Sequence, residues 1–184
     1  MYNDVMKSNF NNIIKPYDEE LHDTHGRPAE LKIQTLCPRF VRNKRLIWLN
    51  EKRDQKEIDY WILDRHQCHI GSIEVERAME RRWRSHEFPY DTASVLVKKE
   101  KYAKLPGVTF FVCFNYSMSN LYAVVLNADN LKDEYVEKIN VGKGSMATEG
   151  EIRYALPKEL CIWGCNDLQD FIMEKCTAYC EENT

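Results

Sequence analysis

Residues 57–76 hold two short segments that alternate side-chain character with period two, EIDYWIL and HIGSIEVE, joined by the polar stretch DRHQC. That pattern specifies an antiparallel hairpin, because successive side chains on a strand point to opposite faces. Ser72, Glu74 and Glu76 therefore share one face, and Ile73 and Val75 the other. In the preceding strand, Ile58, Tyr60 and Ile62 form one face and Asp59, Trp61 and Leu63 the opposite one. Pairing that sets Ile58 and Tyr60 beside Val75 and Ile73 over a common core places Asp59 directly opposite Glu74.

Ionised carboxylates enter a folded interior only when paired or bound to a cation, since desolvation costs several kcal/mol or more. Two readings follow for Asp59, Glu74 and Glu76. Antiparallel sheets commonly expose one polar face, and acids there need no partner. Alternatively a hard divalent cation sits between them; Mg²⁺ typically uses one or two carboxylates plus waters and substrate phosphates. The charge that follows favours a bound polyanion. From Arg77 to Lys104, Arg77, Arg81, Arg82, Arg84, Lys98, Lys99, Lys101 and Lys104 outnumber Glu80, Glu87, Asp91 and Glu100.

The rest of the chain reads as one soluble domain, residues 1–184, with 43% hydrophobic and 30% charged residues. No apolar run reaches the roughly 20 residues of a membrane span, so no membrane partner is expected. The start carries no cationic region followed by an apolar core, so the expectation is an intracellular protein of cytoplasm or nucleus, cellular or virus-encoded. A formal net charge of −3 argues against a protein that coats nucleic acid non-specifically. Seven cysteines are an odd number and read as reduced thiols.

Spacing predicts a helix within residues 1–22, a second over Ala29–Cys37 stopped by Pro38, and a strand in RLIWLN. TASVLVKK reads as a short strand, KKEKYAKL as a helical turn, and VTFFVCFN and NLYAVVLN as two strong strands joined by YSMS. NDLQDFIMEKCTAYCEE reads as a helix capped by Asn166 or Asp167, with Leu168, Phe171, Ile172 and Cys176 on one face.

An acid in one strand followed by E-x-K or E-x-E in the next resembles the active-site pattern of the PD-(D/E)XK nuclease superfamily, the restriction-endonuclease-like fold. Asp59 in EIDYW and Glu74-Val75-Glu76 in SIEVER carry the likeness. The element order over about residues 29–126 also looks like that fold's αβββαβ core, a mixed sheet flanked by helices. Residues 127–184 then form a helical or irregular extension. The resemblance implies a metal-dependent nuclease acting on DNA, with Mg²⁺ or Mn²⁺ on Asp59, Glu74, Glu76 and the carbonyl of Val75. Asp59, Glu74 and Glu76 would be catalytic, with Glu76 standing where the family's lysine is usual and acting as a metal ligand or general base. Glu30 on the first core helix would be a further ligand. Lys98 is the lysine expected to approach a scissile phosphate, and Arg77, Arg81, Arg82, Arg84, Lys99 and Lys101 are expected to grip nucleic acid. Cutting two strands takes two sites, which by symmetry points to a homodimer.

The alternatives are a catalytically inactive relative that binds nucleic acid or a protein, and a small zinc-stabilised interaction protein. The zinc reading rests on Cys161, Cys165, Cys176 and Cys180, two C-x₃-C pairs, although a buried helix face accounts for the second pair equally. His66, Cys68 and His69 read as loop residues, His22, Asp23 and His25 as a polar turn, and Cys113 as core.

Overall fold

The computed structural model describes Glu20 and residues 22–38, 47–51, 58–78, 83, 87–138 and 152–183. The helix expected before residue 22 lies outside the described residues, as do Arg81, Arg82 and Arg84.

Helix α1, Arg27–Leu36, has Pro28 in its first turn, where the missing N–H costs nothing. Strands β1 (Ile47–Glu51), β2 (Tyr60–Asp64) and β3 (His69–Arg77) form an antiparallel meander. The β2–β3 turn is organised by Asp64, whose carboxylate accepts the N–H groups of His66 and Cys68, both at 2.8 Å, while Gln67 takes the left-handed conformation (φ 65°). After β4 (Thr92–Leu96) a 3₁₀ helix runs over Val97–Lys104 and leads into β5 (Val108–Phe114). β5 lies parallel to β3. Two glycines permit that pairing. A Cβ on Gly71 would stand 2.7 Å from the Val108 carbonyl oxygen, and Gly107 turns at φ +80° with its Cβ position 2.2 Å from the Ile70 oxygen.

β6 (Leu121–Val125) pairs antiparallel with β5, and the two-residue β9 (Ile162–Trp163) pairs with β6. The order of this mixed sheet is β1-β2-β3-β5-β6-β9, and a second sheet runs β4-β8-β7, with β7 at Val136–Lys138 and β8 at Ile152–Pro157. Helix α2, Leu168–Glu182, follows. The segment after residue 127, expected as an appended extension, thus builds β7, β8, β9 and α2 into the same body. Its strands were missed because each is short and bounded by polar turns.

The chain forms three layers. Phe110, Val112 and Phe114 of β5, with Tyr60, Ile62, Ile73, Val75, Leu121 and Ala123, pack beneath α1 (Ala29, Ile33, Cys37) and α2 (Leu168, Ile172, Cys176). The alternate residues Phe111, Cys113, Tyr122 and Val124 pack against Trp83 and the second sheet through Ala93, Val95, Tyr154 and Leu156. Burial on both faces is why residues 110–114 are an unbroken apolar run. Asp167 occupies the cap position of α2 without a side-chain capping bond, and Phe171 meets the Phe110 ring edge-on at 5.7 Å. No described helix is long and apolar enough to cross a membrane.

Candidate active site

The hairpin register agrees with the parity reading: Tyr60 pairs with Ile73 and Trp61 with Ser72. Continuing that register by one residue sets Asp59 opposite Glu74. One detail differs. β2 begins at Tyr60, the chain bends at Asp59, and Ile58 packs into the core on the second-sheet side, away from Tyr60. Strand alternation does not extend through a bend, so the parity of Ile58 was lost there.

At this bend the Asp59 carboxylate takes over from the ladder, accepting the Val75 N–H at Oδ2 over 2.7 Å. Burial, then the charge of Glu74, push its carboxyl from near 3.8 up to about 8, against the lowering effect of the Val75 hydrogen bond; Glu30 adds to the rise. Glu30 is 7% exposed, is paired with Arg27 at 3.0 Å, and offers its backbone oxygen to the Tyr60 hydroxyl at 2.9 Å, which ties α1 to the start of β2.

Glu74 is 5% exposed. Its Oε1 contacts the Lys99 ammonium, and among the described residues its Oε2 has no hydrogen-bond partner. Burial raises the Glu74 carboxyl above the ordinary range even though Lys99 opposes the rise. Glu76 is more open, with 31% of its side chain exposed, and its Oε1 lies 2.9 Å from Lys99 Nζ. Burial disfavours the Lys99 charge, but Glu76 and Glu74 more than offset this and hold the ammonium above lysine's ordinary value. Tyr102, beside the group, is raised to about 12, by burial first and by Glu74 second.

The structure brings Lys99 to the carboxylates, whereas Lys98 is exposed. The 3₁₀ period explains the exchange. With three residues per turn, side chains at i and i+3 eclipse. Lys99 and Tyr102 share the ridge that faces the acids, Val97 and Glu100 share a second, and Lys98 and Lys101 share an exposed third. Each ridge is anchored differently. Tyr102 is buried, its carbonyl accepts the Thr109 hydroxyl at 2.9 Å, and Glu100 accepts the Tyr154 hydroxyl at 2.6 Å from the second sheet. Lys101 lies over the Tyr102 ring, 4.7 Å from its centroid. A sequence signal for Lys99 existed in its spacing of three from Tyr102, the one aromatic residue in KKEKYAKL.

Other expected residues stand apart. Arg77 is committed to the β5–β6 turn: Nε and Nη2 donate to the Tyr116 carbonyl at 2.9 and 2.5 Å, and the guanidinium lies 4.9 Å from the Tyr116 ring centroid. His66 and Cys68 are exposed on the hairpin turn, while His69 belongs to β3 and shares a 2.9 Å hydrogen bond with Ser72. The four cysteines considered for zinc are divided between the two cores. Cys161 packs on the second-sheet side, Cys176 under the helices, and Cys165 and Cys180 at the edge of the helical side. Burial pushes the thiols of Cys113, Cys161 and Cys176 up to about 12, which keeps them protonated.

Among the described residues, no group of three or more His, Cys, Asp and Glu side chains is arranged to hold a metal ion. What converges is Glu74 and Glu76 on one ammonium, with Asp59 near enough for the Glu74 charge to raise its carboxyl. No protein-family model matches the chain, and no curated protein matches its sequence.

Proposed function

We propose that this chain is a metal-dependent nuclease that hydrolyses phosphodiester bonds in DNA, built on a restriction-endonuclease-like core. The observation that carries the reading is that Lys99 binds both Glu74 and Glu76, while Asp59, at the bend where the β2–β3 ladder ends, lies close enough to feel the Glu74 charge. The chain path supports it: α1, the β1–β2–β3 meander and the parallel step from β3 to β5 follow the αβββαβ order. Among the described residues the crossover carries β4 and a 3₁₀ helix, whereas an α-helix is usual in that order.

The donor set fits Mg²⁺ or Mn²⁺. Such ions need only one or two protein carboxylates. Asp59 and Glu74 would hold the ion, with the Val75 carbonyl as a further oxygen donor, and the unpartnered buried Oε2 of Glu74 is the atom most in need of a cation. When bound there, the ion supplies a lowered water pKa and polarisation of the phosphoryl oxygen. Lys99 is fully charged beside two acids, so it serves as a cation for a phosphoryl oxygen and not as a proton acceptor. Glu76 holds and orients Lys99. In this way a lysine from the crossover supplies the charge that the E-x-E motif lacks.

The test is cleavage of end-labelled single- and double-stranded DNA, and of RNA, with Mg²⁺, with Mn²⁺ and with EDTA. Cleavage of DNA in either metal, absent in EDTA and abolished by Asp59→Asn and Glu74→Gln in folded protein, supports the reading. Metal-independent binding of DNA without cleavage by the unmodified chain replaces it with a nuclease-fold binding protein.

A further inference from the structure

We infer that Lys99 and the divalent cation compete for Glu74, so that the ion binds only as the ammonium is drawn off, and that a phosphate of the substrate is what draws it off. This rests on the carboxylate site proposed above. Glu74 is nearly fully buried, and Lys99 places its ammonium on Glu74 Oε1. Among the described residues, no group of three or more His, Cys, Asp and Glu side chains is arranged to hold a metal ion in this geometry, in which Lys99 sits on Glu74. The free Oε2 of Glu74 offers the ion a ligand, but an ion there and an ammonium on Oε1 put two positive centres on one buried carboxylate, and they repel strongly.

The ammonium has somewhere to go. Glu76 already holds it at 2.9 Å and is the more exposed of the two acids. Turning about Glu76 on its four-carbon stem, Lys99 leaves Glu74 and reaches solvent, where an anionic phosphate oxygen takes the place of the lost carboxylate. Metal and substrate then assist one another, and the assistance is reciprocal by linkage.

Lys101 provides the control. It is next but one in sequence and bears the same charge, but its ammonium rests over the Tyr102 ring. Mn²⁺ titration of the intact, DNA-free protein by calorimetry or electron paramagnetic resonance compares the unmodified chain with Lys99→Met, Lys99→Arg, Lys101→Met and Glu74→Gln, each first checked for cooperative melting. Lys99→Met should tighten Mn²⁺ binding on the order of tenfold, within the usual span of such couplings. Lys99→Arg should stay near the unmodified protein, Lys101→Met, whose charge acts on Glu74 without touching it, should tighten binding far less than Lys99→Met, and Glu74→Gln should bind weakly. In a second arm, Ca²⁺ should tighten binding of a fluorescein-labelled DNA duplex to the unmodified chain, with much of that gain lost in Lys99→Met.

Equal effects of Lys99→Met and Lys101→Met would reduce the role of Lys99 to general charge and overturn the inference. So would unchanged Mn²⁺ affinity in Lys99→Met, or an undiminished Ca²⁺ gain in that variant. If the unmodified chain still cleaves DNA in those cases, the nuclease reading stands without the competition. No Mn²⁺ binding by either the unmodified chain or Lys99→Met would overturn both.

Discussion

The Val75 amide donates to the Asp59 carboxylate across 2.7 Å, so a side chain closes the β2–β3 hairpin where the backbone ladder has stopped. One carboxylate thereby serves the fold and stands beside Glu74. Burial first and the Glu74 charge second favour its proton, against the Val75 hydrogen bond.

The Asp59 carboxyl is raised from near 3.8 to about 8 in the folded protein. A raised folded-state value means the native chain keeps a proton that the unfolded chain releases. The associated stability is complete below about pH 4 and is lost as pH climbs toward 8. In EDTA, the urea midpoint of the unmodified protein should fall between about pH 5 and about pH 8. Asp59→Asn retains an oxygen for the Val75 amide and cannot ionise, so its curve should be flatter, by up to about 4 kcal/mol across that range. Parallel curves would remove Asp59 from the titrating group. Adding Mg²⁺ at the upper end should recover stability only in the unmodified chain.

Lys99 and Glu74 form a mostly buried pair, with side chains 14% and 6% exposed. Removing one partner of such a pair costs about 3 kcal/mol or more, because a charge is left in a dry site, whereas replacing both is far cheaper. Lys99→Met and Glu74→Gln should each lower stability more than the double variant does relative to the better single. A double-mutant cycle by chemical denaturation checks it. Additive losses would mean that the two side chains do not interact.

Gly71→Ala puts a Cβ 2.7 Å from the Val108 oxygen, a backbone atom that cannot turn aside. Overpacking of this kind costs about 1 to 3 kcal/mol. Thermal melting should show that loss, and hydrogen exchange should show β3 and β5 amides opening faster. An unchanged melting temperature would mean that the parallel β3–β5 step is not held so closely.

Much of the hairpin was legible in the sequence because one physical rule, alternation, governs both its register and its faces. Tyr60 opposite Ile73 follows from where the apolar residues must go, and α1, β5, β6 and α2 are plain from spacing and composition alone. Ile58 was not legible, since alternation gives no warning of a bend. Lys99 was hidden for a related reason: among four lysines in KKEKYAK, only the 3₁₀ period decides which one turns inward, and a helical turn read loosely favours none. The hold of Arg77 on the Tyr116 carbonyl was not legible either, because nothing local signals an acceptor that lies 39 residues away. The second sheet was missed because β4, β7 and β8 are short and find one another only through long-range pairing.

The central claim is that Asp59 and Glu74 receive a divalent ion that displaces Lys99 from Glu74. Crystals of the unmodified protein soaked in Mn²⁺ at about pH 8, where the Asp59 carboxyl is half ionised, address it through anomalous scattering. The expected result is a manganese peak between Asp59 and Glu74, with Lys99 retained on Glu76 alone. Crystals grown in the same metal that show no anomalous peak there, with Lys99 still bridging Glu74 and Glu76, would contradict it.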